Sequence, residues 1–274
     1  MHRRSVLRAL AALGAVSTPL AGAVRGSAVK PIGLQLYTVR AALEADFDPT
    51  LQRIAAIGYE EVEFAGYFGR SAQQVRASLD RFRLTSPSAH VPLEAIGENW
   101  PSYLADAATL AQSYLVVASA GRMTELDGYR RIAERFNRAG ESAVKSGVRL
   151  AYHNHDYEFS TLAGKTPYDV LLAETDPRYV WFEIDLYWLF KGGQDVFGYF
   201  DRWPGRVRML HLKDADASPA HRITEVGAGI LDWKRILARA RQAGVEHYFV
   251  EQDDSSDPFM SIRSSFRYLT GLRF

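Results

Sequence analysis

The sequence predicts a single (β/α)8 barrel of the α/β class, preceded by an N-terminal export signal. Three observations carry this reading. Eight short β-rich apolar runs recur, with starts about 25 to 40 residues apart. Helical stripes with recognisable ends lie between them. The glycine-rich G-x-G-x-x-G turn that usually opens a doubly wound sheet is missing after the first run.

The elements follow in chain order. The apolar runs are Ile32–Val39, Tyr59–Phe64, Leu84–Val91, Tyr114–Ser119, Val148–His153, Tyr179–Leu186, Val207–Leu212 and His247–Glu251. Between the first two, Leu51, Ile54 and Ile57 form an apolar stripe stopped by Gly58. Val75, Leu79 and Phe82 form the next, with Ser71 placed to cap it. Ile132, Phe136 and Ala143 mark a longer helix closed by Gly147. Thr166-Pro167 and Asp257-Pro258 each combine an N-cap with a first-turn proline. Trp233, Ile236, Leu237 and Ala240 precede Gly244 at a helix end.

Residues 1–23 are set apart from the barrel, which is expected over 24–274. Arg3-Arg4 precede an Ala/Leu-rich stretch that ends in Ala21-Gly22-Ala23, a pattern a signal peptidase accepts. This reads as a twin-arginine signal and places the protein in the periplasm. The stretch is too short and too rich in Ala and Gly for a stable membrane anchor. Removing Arg3, Arg4 and Arg8 with it leaves 30 of the 33 basic residues against 32 acidic ones, a net charge of −2. That balance, with no dense Lys/Arg run, argues against nucleic acid as a partner. Apolar residues at 47% and charged residues at 24% describe an ordinary globular chain. The absence of cysteine excludes disulfides, thiolate metal sites and a cysteine nucleophile.

In a (β/α)8 barrel the chemistry gathers at the C-terminal strand ends. Those ends carry Gln35 and Tyr37, Glu63, His90, the Tyr152–Glu158 run, Glu183 and Asp185, His211, Lys213 and Asp214, and Glu251 to Asp254. Four of the seven histidines fall there. Alternation puts Glu183 with Asp185, His211 with Lys213, and His153 with His155 on shared strand faces. Ionisable groups at a barrel mouth are costly to bury unpaired. One divalent cation resolves that conflict, and mixed imidazole and carboxylate donors suit Mn2+, Co2+, Zn2+ or Fe2+ better than Mg2+. Tyr187, Trp188 and Phe190 offer either plain packing or a face for a sugar ring. The Val226–Ile230 segment is expected to approach the mouth or simply to turn.

On these residues the chain resembles the sugar phosphate isomerase/epimerase family of xylose isomerase-like TIM barrels, over nearly all of 31–273. The features are Gln35-Leu36-Tyr37, Glu60-x-x-Glu63, Ala151-Tyr152-His153-Asn154-His155, Asp185, His211-Leu212-Lys213-Asp214, Gly227-x-Gly229-x-x-Asp232-Trp233 and Glu251. The resemblance implies one divalent metal held by Asp185, His211 and Glu251 with a ligand from strand five. Ketose epimerases of the family have Glu where this chain has His153, so the two-glutamate proton relay is broken here. Either His153 ligates the metal or Glu158 folds back, and Glu158 is favoured because a carboxylate preserves the site charge. His155 is similar in spacing to the histidine of family dehydratases, and inosose dehydratases share a His-rich fifth strand. Endonuclease IV relatives need three metals and a basic face, which this sequence does not show.

The expected reaction is proton abstraction beside the carbonyl of a keto-sugar or sugar derivative. His155 is the expected base, because imidazole titrates near neutrality. Lys213 and Glu251 complete the catalytic set, and Gln35, Tyr37, Glu63, His90 and Trp188 are expected to hold the substrate. Reprotonation gives an isomerase or epimerase. Loss of a β-substituent gives a dehydratase or lyase, for example on 3-keto-glycosides. The reading from a different class is a non-catalytic periplasmic sugar-binding protein on the same barrel. Homo-oligomerisation is left open.

Overall fold

The computed structural model describes residues 29 and 31–274. The twin-arginine signal expected over 1–23 lies outside the described residues. Eight parallel strands close into one barrel. They are β1 Gly33–Gln35, β2 Glu61–Phe64, β3 Thr85–Val91, β4 Tyr114–Val117, β5 Arg149–His153, β6 Val180–Asp185, β7 Val207–Leu212 and β8 His247–Val250. Each pairs with its neighbour in the chain, and β1 closes on β8 through Gly33 opposite Phe249. All eight expected runs thus form the wall of one barrel.

The helix signals work as local chemistry requires. Ser71 forms a capping box with Gln74 on the helix Ala72–Phe82. Thr166 and Asp257 accept backbone N–H groups at the starts of Pro167–Glu174 and Pro258–Gly271. Leu51, Ile54, Val75, Leu79, Ile132 and Phe136 are buried where the helices pack on the outside of the barrel. Each such aliphatic or aromatic side chain contributes about 1.5–3 kcal/mol by leaving water. Among the described residues no helix is long and apolar enough to cross a membrane.

The first strand is shorter than its apolar run. The Gln35 side chain accepts the Tyr37 N–H at 3.1 Å and turns the chain into a 3-10 helix, Leu36–Val39. Tyr37 therefore stands on the barrel rim rather than in the wall. Inside the barrel, Tyr114, Val116, Ala151, Met209 and Phe249 form an apolar floor. Gly33 makes that floor possible, because a Cβ there would lie 2.4 Å from the Phe249 ring. Above the floor the interior turns polar.

The Val226–Ile230 segment is held down rather than poised over the mouth. Buried Asp214 accepts N–H groups from Gly227, Gly229 and Leu231 and the indole N–H of Trp233. Gly229 is needed for this approach, since a Cβ would stand 2.2 Å from the Ala215 carbonyl.

Candidate active site and metal centre

Five strands send imidazoles and carboxylates into one layer above the apolar floor. His211 on β7 is its hub. Its Nε2 lies 2.7 Å from Glu63 Oε2 and 3.0 Å from Glu183 Oε2. His90 Nε2 is 2.8 Å from Glu183 Oε2 and 3.2 Å from Glu63 Oε2. His153 Nδ1 is 3.0 Å from Glu183 Oε2. The rings of His90 and His211 stack at 5.1 Å, and His153 sits 4.5 Å from His211. Register irregularities in the wall, one at Glu61/Glu63 and one at Phe182/Glu183, accompany the two carboxylates.

A second layer lies nearer the mouth. His211 Nδ1 is 2.7 Å from Glu251 Oε2 and 4.0 Å from Asp185 Oδ2. The Lys213 ammonium is 2.7 Å from Glu251, 2.9 Å from Asp185 and 3.0 Å from Asp253. Asp185 also caps the helix Leu186–Lys191 by accepting the Trp188 N–H at 2.9 Å. That bond sets Trp188 beside the same group.

Charge decides the protonation states. Burial disfavours the ionised form of Glu63 and Glu183, but the surrounding imidazoles outweigh it; Glu183 is held down at about 2. Burial also opposes charge on His90, which Glu63 and Glu183 nevertheless raise to about 9. His153 moves the other way, well below its usual value, because burial and the neighbouring His211 both disfavour its charge. Burial opposes charge on Lys213, yet Asp185, Glu251 and Asp253 hold its pKa well above the ordinary value.

The strand-five expectation is corrected in one respect. Glu158 does not fold back toward the other ligands. It is fully buried, accepts the Tyr152 hydroxyl, and accepts the His155 N–H at 2.9 Å. Its carboxylate positions the backbone of His155, while His153 joins the imidazole cluster. Gln35 and Glu63, expected to touch substrate, are not among the residues that line the cavity described below. Both are fully buried, and the Gln35 amide donates to Glu63 at 2.6 Å, so they support the inner layer.

Tyr37, His90, His153, His155, Trp188, Lys213 and Glu251 do line one cavity of about 680 Å3. Its wall from β5 to β8 and β1 is polar and charged. Its wall from the ends of β2 to β4 is mostly apolar, with Ala65, Tyr67, Val91, Pro92 and Tyr103. His155 has an imidazole whose pKa is lowered chiefly by burial, so it is neutral near pH 7. Its ring lies 5.9 Å from the Trp188 ring, which the Lys213 ammonium approaches at 6.0 Å.

The residues fit a divalent ion. The Oε1 atoms of Glu63 and Glu183 are buried with no hydrogen-bond partner, which is costly unless a cation compensates. Two groups bring ligand atoms within 4.8 Å of one another: His90, His153, Glu183 and His211, and Asp185, His211 and Glu251. Sequence reasoning placed Glu183 on the face of Asp185 but did not count it among the ligands. Its position two residues below a strand end was the available signal.

The sequence matches the family described as xylose isomerase-like TIM barrel over residues 51–271. The chain belongs to this family. A sugar phosphate isomerase/epimerase from Parabacteroides distasonis superposes with a TM-score of 0.79 at 27% identity, covering 92% of this chain and 98% of that one. An inosose dehydratase from Geobacillus thermodenitrificans is 29% identical over 143 residues, 45% of this chain and 47% of its own. The chain thus spans about half the length of that curated relative. The barrel of a 3-keto-D-glucoside 4-epimerase from E. coli matches with a TM-score of 0.69 at 18% identity, covering 88% and 99%, and shows the shared fold alone.

Proposed function

We propose that this protein is a metal-dependent enzyme that removes a proton beside the carbonyl of a cyclic keto-sugar derivative and then expels a β-substituent. The observation that carries this is the placement of neutral His155 and charged Lys213 on one cavity, with Trp188 within about 6 Å of both. One group accepts a proton, the other donates one, and the indole offers a ring-sized face between them.

His155 takes the proton from carbon, and the bonding pair moves toward the carbonyl oxygen. A divalent cation, when bound by the imidazoles and carboxylates below, supplies positive charge against the charge that oxygen gains. Lys213 donates a hydrogen bond or a proton to the oxygen that leaves with its electron pair. Trp188 and Tyr37 hold the ring, and His90 reaches the same cavity from β3. Elimination is favoured over epimerisation because the carboxylates that could serve as a second base, Asp253, Glu251 and Glu158, are each already engaged, Asp253 by Lys213. Glu251 is bound to His211 and Lys213, and Glu158 to Tyr152 and His155. The similarity to a named inosose dehydratase points the same way.

The cavity volume suits a substrate larger than one hexose ring, within the range of about 300–1,000 Å3 that ligand sites occupy. Its apolar wall suits the second group of a 3-keto-glycoside. Export by the twin-arginine route, proposed from Arg3-Arg4 and the following stretch, is consistent with a glycoside rather than a phosphorylated cytosolic metabolite.

The test is incubation of Mn2+-loaded protein with 3-keto-glycosides and free keto-sugars in D2O, followed by NMR. Release of the aglycone or of water with loss of the α-proton is expected. His155→Gln should slow that loss by about 10²–10⁴-fold. Deuterium incorporation without elimination would convert the reading to an isomerase or epimerase. Sugar affinity that survives chelation, with no exchange, would leave a binding protein.

A further inference from the structure

The cavity has two unlike sides. His155, Trp188, Lys213, Glu251 and Asp253 stand on one. The other comes from the ends of β2 to β4 and from Tyr103 on the helix Trp100–Leu110. The strand order of the closed barrel sets β3 across the mouth from β7. On the β3 side the chain presents Ala65, Tyr67, Val91, Pro92 and Ala118. His90 is the charged group that this side adds to the lining, and Glu183 and Glu63 already hold it at 2.8 and 3.2 Å.

A hydroxyl brought against the β3 side finds few partners, because the polar atoms there are spent on one another. The Tyr67 hydroxyl donates to Gln112 at 3.2 Å, and the Tyr67 carbonyl accepts the Arg70 N–H at 3.0 Å. The Val91 carbonyl accepts the Ala118 N–H at 3.2 Å, so one bond occupies two groups of the wall. Pro92 has no N–H to offer, and its carbonyl accepts the Ala95 N–H at 3.0 Å. A sugar hydroxyl taken out of water without a partner is destabilising. Apolar carbon gains by the same move in proportion to the area it buries.

The wall is also aromatic and firmly supported. The Tyr67 ring meets the buried Phe64 ring edge-on at 5.4 Å. Tyr103 adds a second ring to the same side. Flat apolar groups pack on such rings in offset or edge-to-face contact.

We propose that the β2 to β4 side of the cavity is an aglycone subsite, and that its occupant is an uncharged aromatic group rather than a second sugar. This rests on the glycoside reading above and narrows it to aryl glycosides. The sugar ring lies against Trp188 with its hydroxyls toward the charged side, and the glycosidic oxygen falls where the two sides meet. Tyr103 and Ala118 then set specificity, the first by ring contact and the second by leaving room.

The experiment titrates the full chain by calorimetry with three probes: phenyl β-D-glucoside, methyl β-D-glucoside and cellobiose. None carries a keto group, so binding is read without turnover. The phenyl glucoside should bind more than about 10-fold tighter than the methyl glucoside, a ratio within reach of burying one aromatic ring. Cellobiose should bind no tighter than the methyl glucoside. Cellobiose binding as tightly as the phenyl glucoside would overturn the proposal. So would equal affinity for the phenyl and methyl glucosides, or a phenyl glucoside that does not bind at millimolar concentration. Two variants, each checked for folding by circular dichroism, place the subsite. Ala118→Phe fills it and should bring the phenyl-to-methyl ratio to within about 3-fold of unity, and Tyr103→Ala should lower that ratio about 3–10-fold. A ratio that neither variant moves would overturn the proposal. The reaction is read separately. A phenyl preference on a protein that leaves 3-keto-glycosides untouched would sustain the subsite while removing the lyase. Elimination that runs faster on the 3-keto form of cellobiose than on that of the phenyl glucoside would sustain the lyase while removing the subsite.

Discussion

The Lys213 ammonium and the Glu251 carboxylate meet at 2.7 Å with both side chains buried. A buried pair is costly to break from one side, because the remaining charge keeps its desolvation penalty without its partner. Lys213→Met in the metal-free protein leaves Asp185 in that state and leaves Glu251 with His211 alone. A loss of about 3–5 kcal/mol in urea unfolding is expected. A change below about 1 kcal/mol would show that the three carboxylates find other compensation.

Glu158 makes stability depend on pH. Burial pushes its carboxyl up to about 7 from an ordinary 4.5. The group is protonated in both folded and unfolded chains below pH 4.5, so no penalty exists there. As pH rises toward 7 the unfolded chain ionises first, and the stability present at low pH is lost. The shift corresponds to a loss of about 3 kcal/mol between pH 4.5 and pH 7. Glu158→Gln should remove that part of the slope. Denaturant midpoints for the two metal-free proteins at pH 5 and pH 8 measure it, and parallel curves would refute it.

Asp214 ties the chain after β7 to the segment before Trp233. Its carboxylate accepts four N–H groups from that segment. Asp214→Ala should destabilise the protein by about 3 kcal/mol, the scale of a charge-assisted hydrogen bond. Limited proteolysis should cut near 226–231 before the barrel unfolds. Since this segment does not line the cavity, KM should stay within about 2-fold of the unmodified value.

Trp188 serves as a ring platform in the proposed reaction. Trp188→Ala should raise KM by about 3–10-fold, the size of an aromatic contact of about 0.5–1.5 kcal/mol, and lower kcat less. Steady-state kinetics on the 3-keto-glycoside separates the two. A larger fall in kcat than rise in KM would assign Trp188 to the alignment of His155 instead.

The strand-end reading brought His90, His153, His155, Trp188, Lys213 and Glu251 to one cavity because alternation and strand endings are local properties. Glu158 was misread for a physical reason. Residues past a strand end leave the barrel's alternation, and only the packing of Tyr152 shows where that carboxylate finds its donors. Gln35 and Glu63 lie beneath the cavity lining for another. Depth inside the barrel depends on how neighbouring strands are staggered, and the irregularity beside Glu63 is not marked by any turn residue.

The amino-acid pattern alone determined the eight-unit architecture, the helix caps and the set of ionisable residues directed at the mouth, since each depends on neighbours a few positions away. Tertiary structure alone decided which of those residues form the inner layer and which take Lys213. That division depends on distances between side chains up to 148 positions apart, as for His211 and Glu63. Those distances follow from the strand stagger and closure of the barrel, which no short stretch of sequence encodes.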